Sequence, residues 1–143
     1  MSDYRFCVSL RISHPEIDPD EITRELGIEP FRKWKVGEAR VSPSGEKIEG
    51  ESVESFWAAK LHEEKRLLST DIYLEDFISK LNEQFKDKSR YFSTLVESGG
   101  YIEYFVGWFG GGMFGATLDP TLLASTGKLS ISIGLDIYGG EDE

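Results

Sequence analysis

Apolar and polar residues alternate strictly from Tyr4 to Ser13. Tyr4, Phe6, Val8, Leu10 and Ile12 fall on one side, and Arg5, Cys7, Ser9, Arg11 and Ser13 on the other. A period of two belongs to a strand with one buried face, which predicts a first strand here. Asp18-Pro19, Glu21 and Gly27 then spell a short helix. They supply a capping carboxylate, a first-turn proline, an acidic residue three after the cap as in a capping box, and a glycine for the left-handed close. Phe31–Val41 reads as a second strand with Ser42-Pro43-Ser44-Gly45 as its turn. The charged stretch Glu46–Glu54 separates it from a third strand, Ser55–Leu61, carrying Phe56 and Trp57. Leu74, Phe77, Ile78, Leu81 and Phe85 recur at helical spacing, so a main helix is predicted from about Asp71 to Lys86, starting near Ser69-Thr70-Asp71. Ser89–Glu97 predicts a further helix, with Phe92, Leu95 and Val96 inward and a stop at Gly99-Gly100. Tyr101–Phe109 is apolar on both faces and reads as a central strand, and Lys128–Tyr138 as the last one. Between them Asp119-Pro120, Leu122, Leu123 and Gly127 repeat the cap grammar of the first helix.

The element order is therefore βαββααβαβ. It contains the βαββαβ order of a ferredoxin-like split βαβ, plus an extra helix and strand. The expected fold is α+β: a two-layer sandwich with a mostly antiparallel sheet of about five strands and helices on one face. Residues 1–138 are expected to form a single domain, and Gly139–Glu143 a disordered acidic tail.

The run Asp18-Pro19 to Ile22, Leu26-Gly27, Pro30, Trp34 and Gly37, with the closing Asp136-Ile137-Tyr138, resembles a bacterial domain-of-unknown-function family, number 4279. The resemblance spans nearly the whole chain and implies a single α+β domain of about this length. It implies no activity and no catalytic residues. Small acidic families of this kind are associated with immunity proteins against bacterial toxins.

Composition narrows the function classes. The net charge is −10, from 26 acidic and 16 basic residues, which repels a phosphate backbone and disfavours nucleic acid as partner. It suits a basic protein partner. One cysteine, Cys7, allows no intrachain disulfide, and the start MSDYRF has neither the basic flank nor the apolar run of a signal peptide. No apolar run reaches the ~18 residues of a membrane helix. A cytoplasmic protein with no membrane partner is expected.

Two stretches carry candidate chemistry. In Phe31–Arg40, Arg32, Lys35 and Arg40 surround Trp34, with Lys33 among them, in an otherwise acidic chain. Guanidinium and indole groups in this pattern suit a small anionic ligand, a phosphate or a carboxylate. The alternative is an edge strand anchored by Trp34 and solvated by its cations. Gly107–Gly115 carries Trp108, Phe109, Met113 and Phe114 among glycines. It is expected either to present these residues to a protein partner or to tuck its aromatics inward. Gly110, Gly112 and Gly115 match a dinucleotide fingerprint formally, but the next helix opens only at Asp119-Pro120, under an acidic cap. His14, His62 and Cys7 lie in separate elements without metal-ligand spacing, so no metal and no cofactor are expected. The leading expectation is a non-catalytic binding module, an inhibitor or immunity-type protein for a basic partner. A small-ligand or sensor domain near Trp34 and an enzyme of unknown class are the alternatives.

Overall fold

The apolar row of the first strand faces the interior. Tyr4, Phe6, Val8, Leu10 and Ile12 are all buried, while the residues between them are half-buried. A computed structural model of the chain describes residues 1–139. The molecule is mixed α+β, with a mostly antiparallel main sheet in the order β2 (Arg32–Trp34), β5 (Ser55–Lys60), β1 (Arg5–His14), β7 (Tyr101–Gly110), β8 (Ser132–Gly139). β1 pairs antiparallel with β5 on one side and with β7 on the other. β2 pairs antiparallel with β5, and β8 runs parallel to β7 at the far edge. β6 (Leu67–Leu68) adds a short pairing to the start of β1.

The described residues form eight strands rather than about five: β6 is added to the main sheet, and the predicted second strand breaks to leave a separate hairpin. β2 ends at Trp34, and the chain turns through Gly37 at φ +89. It then forms a separate hairpin, β3 (Ala39–Val41) with β4 (Lys47–Glu51). β4 comes from the charged stretch expected to be a connection, and every residue of the hairpin's two strands is exposed. With no buried face, the hairpin has no apolar alternation to read.

α1 (Pro19–Leu26) begins and ends where its caps predict. Asp18 Oδ1 accepts from the Asp20 amide at 3.0 Å, and Gly27, at φ +69, donates its amide to Thr23 O at 2.8 Å. The Glu21 carboxylate, however, accepts from Tyr91 Oη at 3.1 Å rather than closing a capping box. α2 (Leu74–Phe85) starts three residues after Asp71, because residues 71 and 72 are spent in a turn whose amides bond to Leu68 O. Its N-terminal amide, Leu74 N, is capped from another element: Tyr4 Oη accepts it at 2.9 Å. A 3₁₀ turn over Lys86–Lys88 links α2 to α3 (Ser89–Glu97), whose Val96 is exposed rather than inward. α4 (Pro120–Lys128) runs through Gly127, and the left-handed residue that follows is Ser130, at φ +61. The last strand accordingly starts at Ser132 instead of Lys128 and includes Gly139; residues 140–143 of the predicted tail lie outside the described residues.

One hydrophobic cluster joins the sheet to the helices. Phe6, Leu10, Trp57 and Tyr104 from the strands meet Ile22, Ile78, Phe92 and Leu122 from the four helices. Among the described residues, no helix is long and apolar enough to cross a membrane.

Candidate functional site

Register places the site on the sheet face opposite this cluster. Trp34 stands across from Phe56, and Arg32 across from Ala58, which in turn faces Arg11 of β1. Arg11 belongs to the polar row of β1, so Arg32 and Trp34 share its face. Lys33, between them, points to the helix side and pairs with Asp20 of α1. That contact holds the Asp20 carboxyl below and the Lys33 ammonium above their ordinary ranges.

The Trp34 ring stacks on Phe56 at 4.6 Å between centroids, and its Nε1 donates to Glu54 O at 3.1 Å. Arg32 lies over Trp34, with its guanidinium carbon 4.9 Å from the ring centroid. Beside this stack the β3–β4 hairpin forms the second wall of an open groove of about 650 Å³, whose lining includes Arg32, Trp34, Arg40, Val41 and Ile48 and one acidic residue, Glu38. Arg32 Nη2 reaches Val41 O at 3.5 Å and Arg40 Nη1 reaches Glu49 O at 3.4 Å, each a long, weak bond that leaves further donors on the fork. Three of the four predicted ligand residues thus meet at one groove. Lys35 is exposed and lies outside its lining.

Ser55 ties this end of the sheet together. Its buried hydroxyl donates to Ile17 O at 2.6 Å and accepts from Val36 N at 3.0 Å, joining the β1–α1 loop to the chain that leaves β2.

The second candidate group is placed differently from an outward aromatic loop. Gly107–Gly110 is the end of β7, and Trp108 and Phe109 are 6% and 8% exposed, on opposite faces. Trp108 packs edge-on against Tyr4 at 5.4 Å and Phe114 at 5.3 Å. Phe109 stacks on Tyr138 at 4.8 Å, with Arg66 over its ring. Phe114 folds back so closely that a Cβ on Gly110 would stand 2.4 Å from its ring. Only Met113 of the four is largely exposed, at 78%.

One residue pair escaped the sequence reading. The Arg11 guanidinium lies 3.6 Å over the Phe105 ring, on the same face as Arg32. Alternation marks Arg11 as outward-facing, but the β1–β7 register that brings Phe105 beside it is not written locally. Among the described residues no group of three His, Cys, Asp or Glu side chains could hold a metal. The N-terminus of α4 behind the glycines is taken by Asp119, whose Oδ1 accepts from Leu122 N at 2.9 Å.

The chain is thus mixed α+β, with a cation–aromatic stack beside a groove on the outer face of its main sheet. It belongs to the family described as Domain of unknown function (DUF4279), whose model matches residues 2–140. No curated protein and no solved structure matches it.

Proposed function

We propose that this domain is a non-catalytic binding module that holds an anionic small molecule in the groove between β2 and the β3–β4 hairpin. The observation that carries the reading is the Arg32–Trp34–Phe56 stack at the groove mouth. Contact with the indole restrains the guanidinium while donors remain on its fork, so less side-chain freedom is lost when a carboxylate or phosphate is gripped. Arg40 supplies a second cation from the hairpin wall.

The finer architecture we propose is a two-layer sandwich with a ferredoxin-like core. The order β7-β1-β5-β2 supports it, with β5 antiparallel between β1 and β2, which α1 connects. All four helices contribute to the same cluster as the inward row of β1, which supports a single helical layer. The lone Cys7 supports a reducing, cytoplasmic setting. A reading as an inhibitor or immunity-type protein keeps the charge of −10 as its support, but its aromatic anchors Trp108 and Phe109 are spent inside the chain.

Trp34 is half-buried while Trp57 and Trp108 are buried, so quenching of tryptophan emission reports mainly on the groove. Titration with inorganic phosphate, citrate and a nucleoside monophosphate is expected to perturb the emission for at least one of them. Arg32→Gln should then weaken that binding by about tenfold or more, the scale of a lost charge-assisted hydrogen bond. Emission indifferent to all three anions, or affinity unchanged in Arg32→Gln, defeats the proposal.

A further inference from the structure

The main sheet has two edges, and they are protected unequally. At one edge β2 is three residues long, carries Arg32 and Lys33, and follows Pro30 closely. Short, charged edges resist the addition of another strand. At the other edge β8 runs for eight residues, paired to β7 on one side and, among the described residues, to no strand on the other. It contains a single charge, Asp136, and neither lysine nor proline. Leu135, Ile137 and Tyr138 along it are 42%, 60% and 45% exposed.

We propose that β8 is a homodimerisation edge. Two copies pair β8 against β8, antiparallel about a two-fold axis at Leu135, and make one continuous sheet.

The strand's own pattern selects this occupant. Residues directly opposite in an antiparallel pair share a face. With the axis at Leu135, that residue meets Leu135 of the second copy and Ile133 meets Ile137, so apolar side chains line one face throughout. On the other face Gly134 meets Asp136 and Ser132 meets Tyr138. A one-residue slip would set the apolar row against the Gly134–Asp136 row. Centring on Asp136 would put two carboxylates face to face, and centring on Gly134 would shorten the overlap. Both carboxylates at this edge, Asp136 and the Glu103 that lies over Gly134, belong to the outer face, so a basic partner would engage that face alone, whereas a second copy also covers the apolar row.

Asp136 also limits the pairing. The Glu103 carboxylate lies over Gly134, where a Cβ would stand 2.3 Å from its Oε2, so Asp136 of one copy approaches Glu103 of the other. Salt screens this repulsion together with that between two chains of charge −10. A strand pair by itself is small beside the ~1,200 Å² of a standard interface, so the dimer forms at roughly tens of micromolar and above.

Sedimentation velocity on the full chain, from about 5 to about 500 μM, is expected to show a dimer that grows with concentration and with salt. Asp136→Asn should move the midpoint to lower concentration, and Ile137→Lys should leave a folded monomer. Register is tested by oxidation in a Cys7→Ser background. Leu135→Cys should cross-link with itself, whereas Ile137→Cys should not, because its two copies stand ~13 Å apart along the strands. A monomer at every concentration overturns the proposal and leaves the edge to a strand of another protein. A dimer indifferent to Ile137→Lys, or one cross-linking equally at both positions, overturns it as well.

Discussion

His62 shows how one buried polar side chain couples the fold to pH. Its Nε2 accepts from Val8 N at 2.9 Å, its Nδ1–H donates to Glu64 O at 2.9 Å, and its ring sits edge-on to Phe77. Burial lowers its pKa from the ordinary 6.5, with the Glu64 carbonyl and charge opposing in part. The unfolded chain therefore takes up the proton first as pH falls. Stability is complete above about pH 6.5 and is lost progressively below it, toward the folded-state pKa. The melting temperature should drop between pH 7.5 and 5.5, and His62→Gln, whose carbonyl can still accept from Val8 N, should flatten that drop. Equal slopes in the two proteins would remove His62 as the cause. Ser55 makes a pH-independent contribution at the same scale. Ser55→Ala strands the half-buried Val36 amide and Ile17 carbonyl, and should cost about 1–3 kcal/mol in urea unfolding.

At the scale of elements, the ties that sequence spacing hides are polar. Asn82 of α2 donates to Ser125 and Thr126 Oγ of α4, at 2.8 Å each, and accepts from Tyr104 Oη of β7 at 2.9 Å. Ser125 and Thr126 also bond Leu122 O, so the group left without a partner by Asn82→Ala is the buried Tyr104 hydroxyl. That variant should lose about 1–3 kcal/mol, and adding Tyr104→Phe should cost less than it does alone, a coupling that a double-mutant cycle measures. Strict additivity would show that the network is not shared. Phe77→Ala on the same helix should cost ~3–5 kcal/mol as a core truncation, read as a lowered melting temperature. Elements governed by local grammar were legible in advance. β1 follows its alternation, α1 its caps, and α3 its full predicted span. What misled was tertiary. Tyr4 caps α2 from 70 residues away, so the Ser69-Thr70-Asp71 signal described a turn before the helix. Gly127 stays helical although it matches a stop, and the left-handed conformation falls on Ser130. Phe31–Val41 looked continuous because Arg32, Trp34 and Val41 each suit a strand. Nothing local says that the chain changes sheets between them.

For the whole molecule, that break is what makes the candidate site. An uninterrupted edge strand would have set Arg40 far along the sheet from Trp34; the turn at Gly37 folds it back onto the other wall of the groove. The sequence could supply the cations and the indole but not their meeting, which depends on a hairpin with no buried face. The hairpin also stands apart energetically. Its strands are exposed throughout, and its base is closed by Gly37 N to Ser52 O at 2.9 Å and Ser52 N to Glu38 O at 2.8 Å. Since those ends already meet, residues 39–51 can be replaced by Asn-Gly, a two-residue turn suited to such a closure. The excised protein should unfold in one transition, with a melting temperature within a few degrees of the parent, because almost no apolar burial is removed. Trp34 should still stack on Phe56, whose pairing lies in the main sheet. Anion-dependent quenching should nevertheless disappear, since one wall of the groove and Arg40 have gone. Loss of the fold would show that the hairpin is structural. Retained binding on an intact fold would place the anion elsewhere on the Arg32 and Arg11 face and reject the groove as its seat.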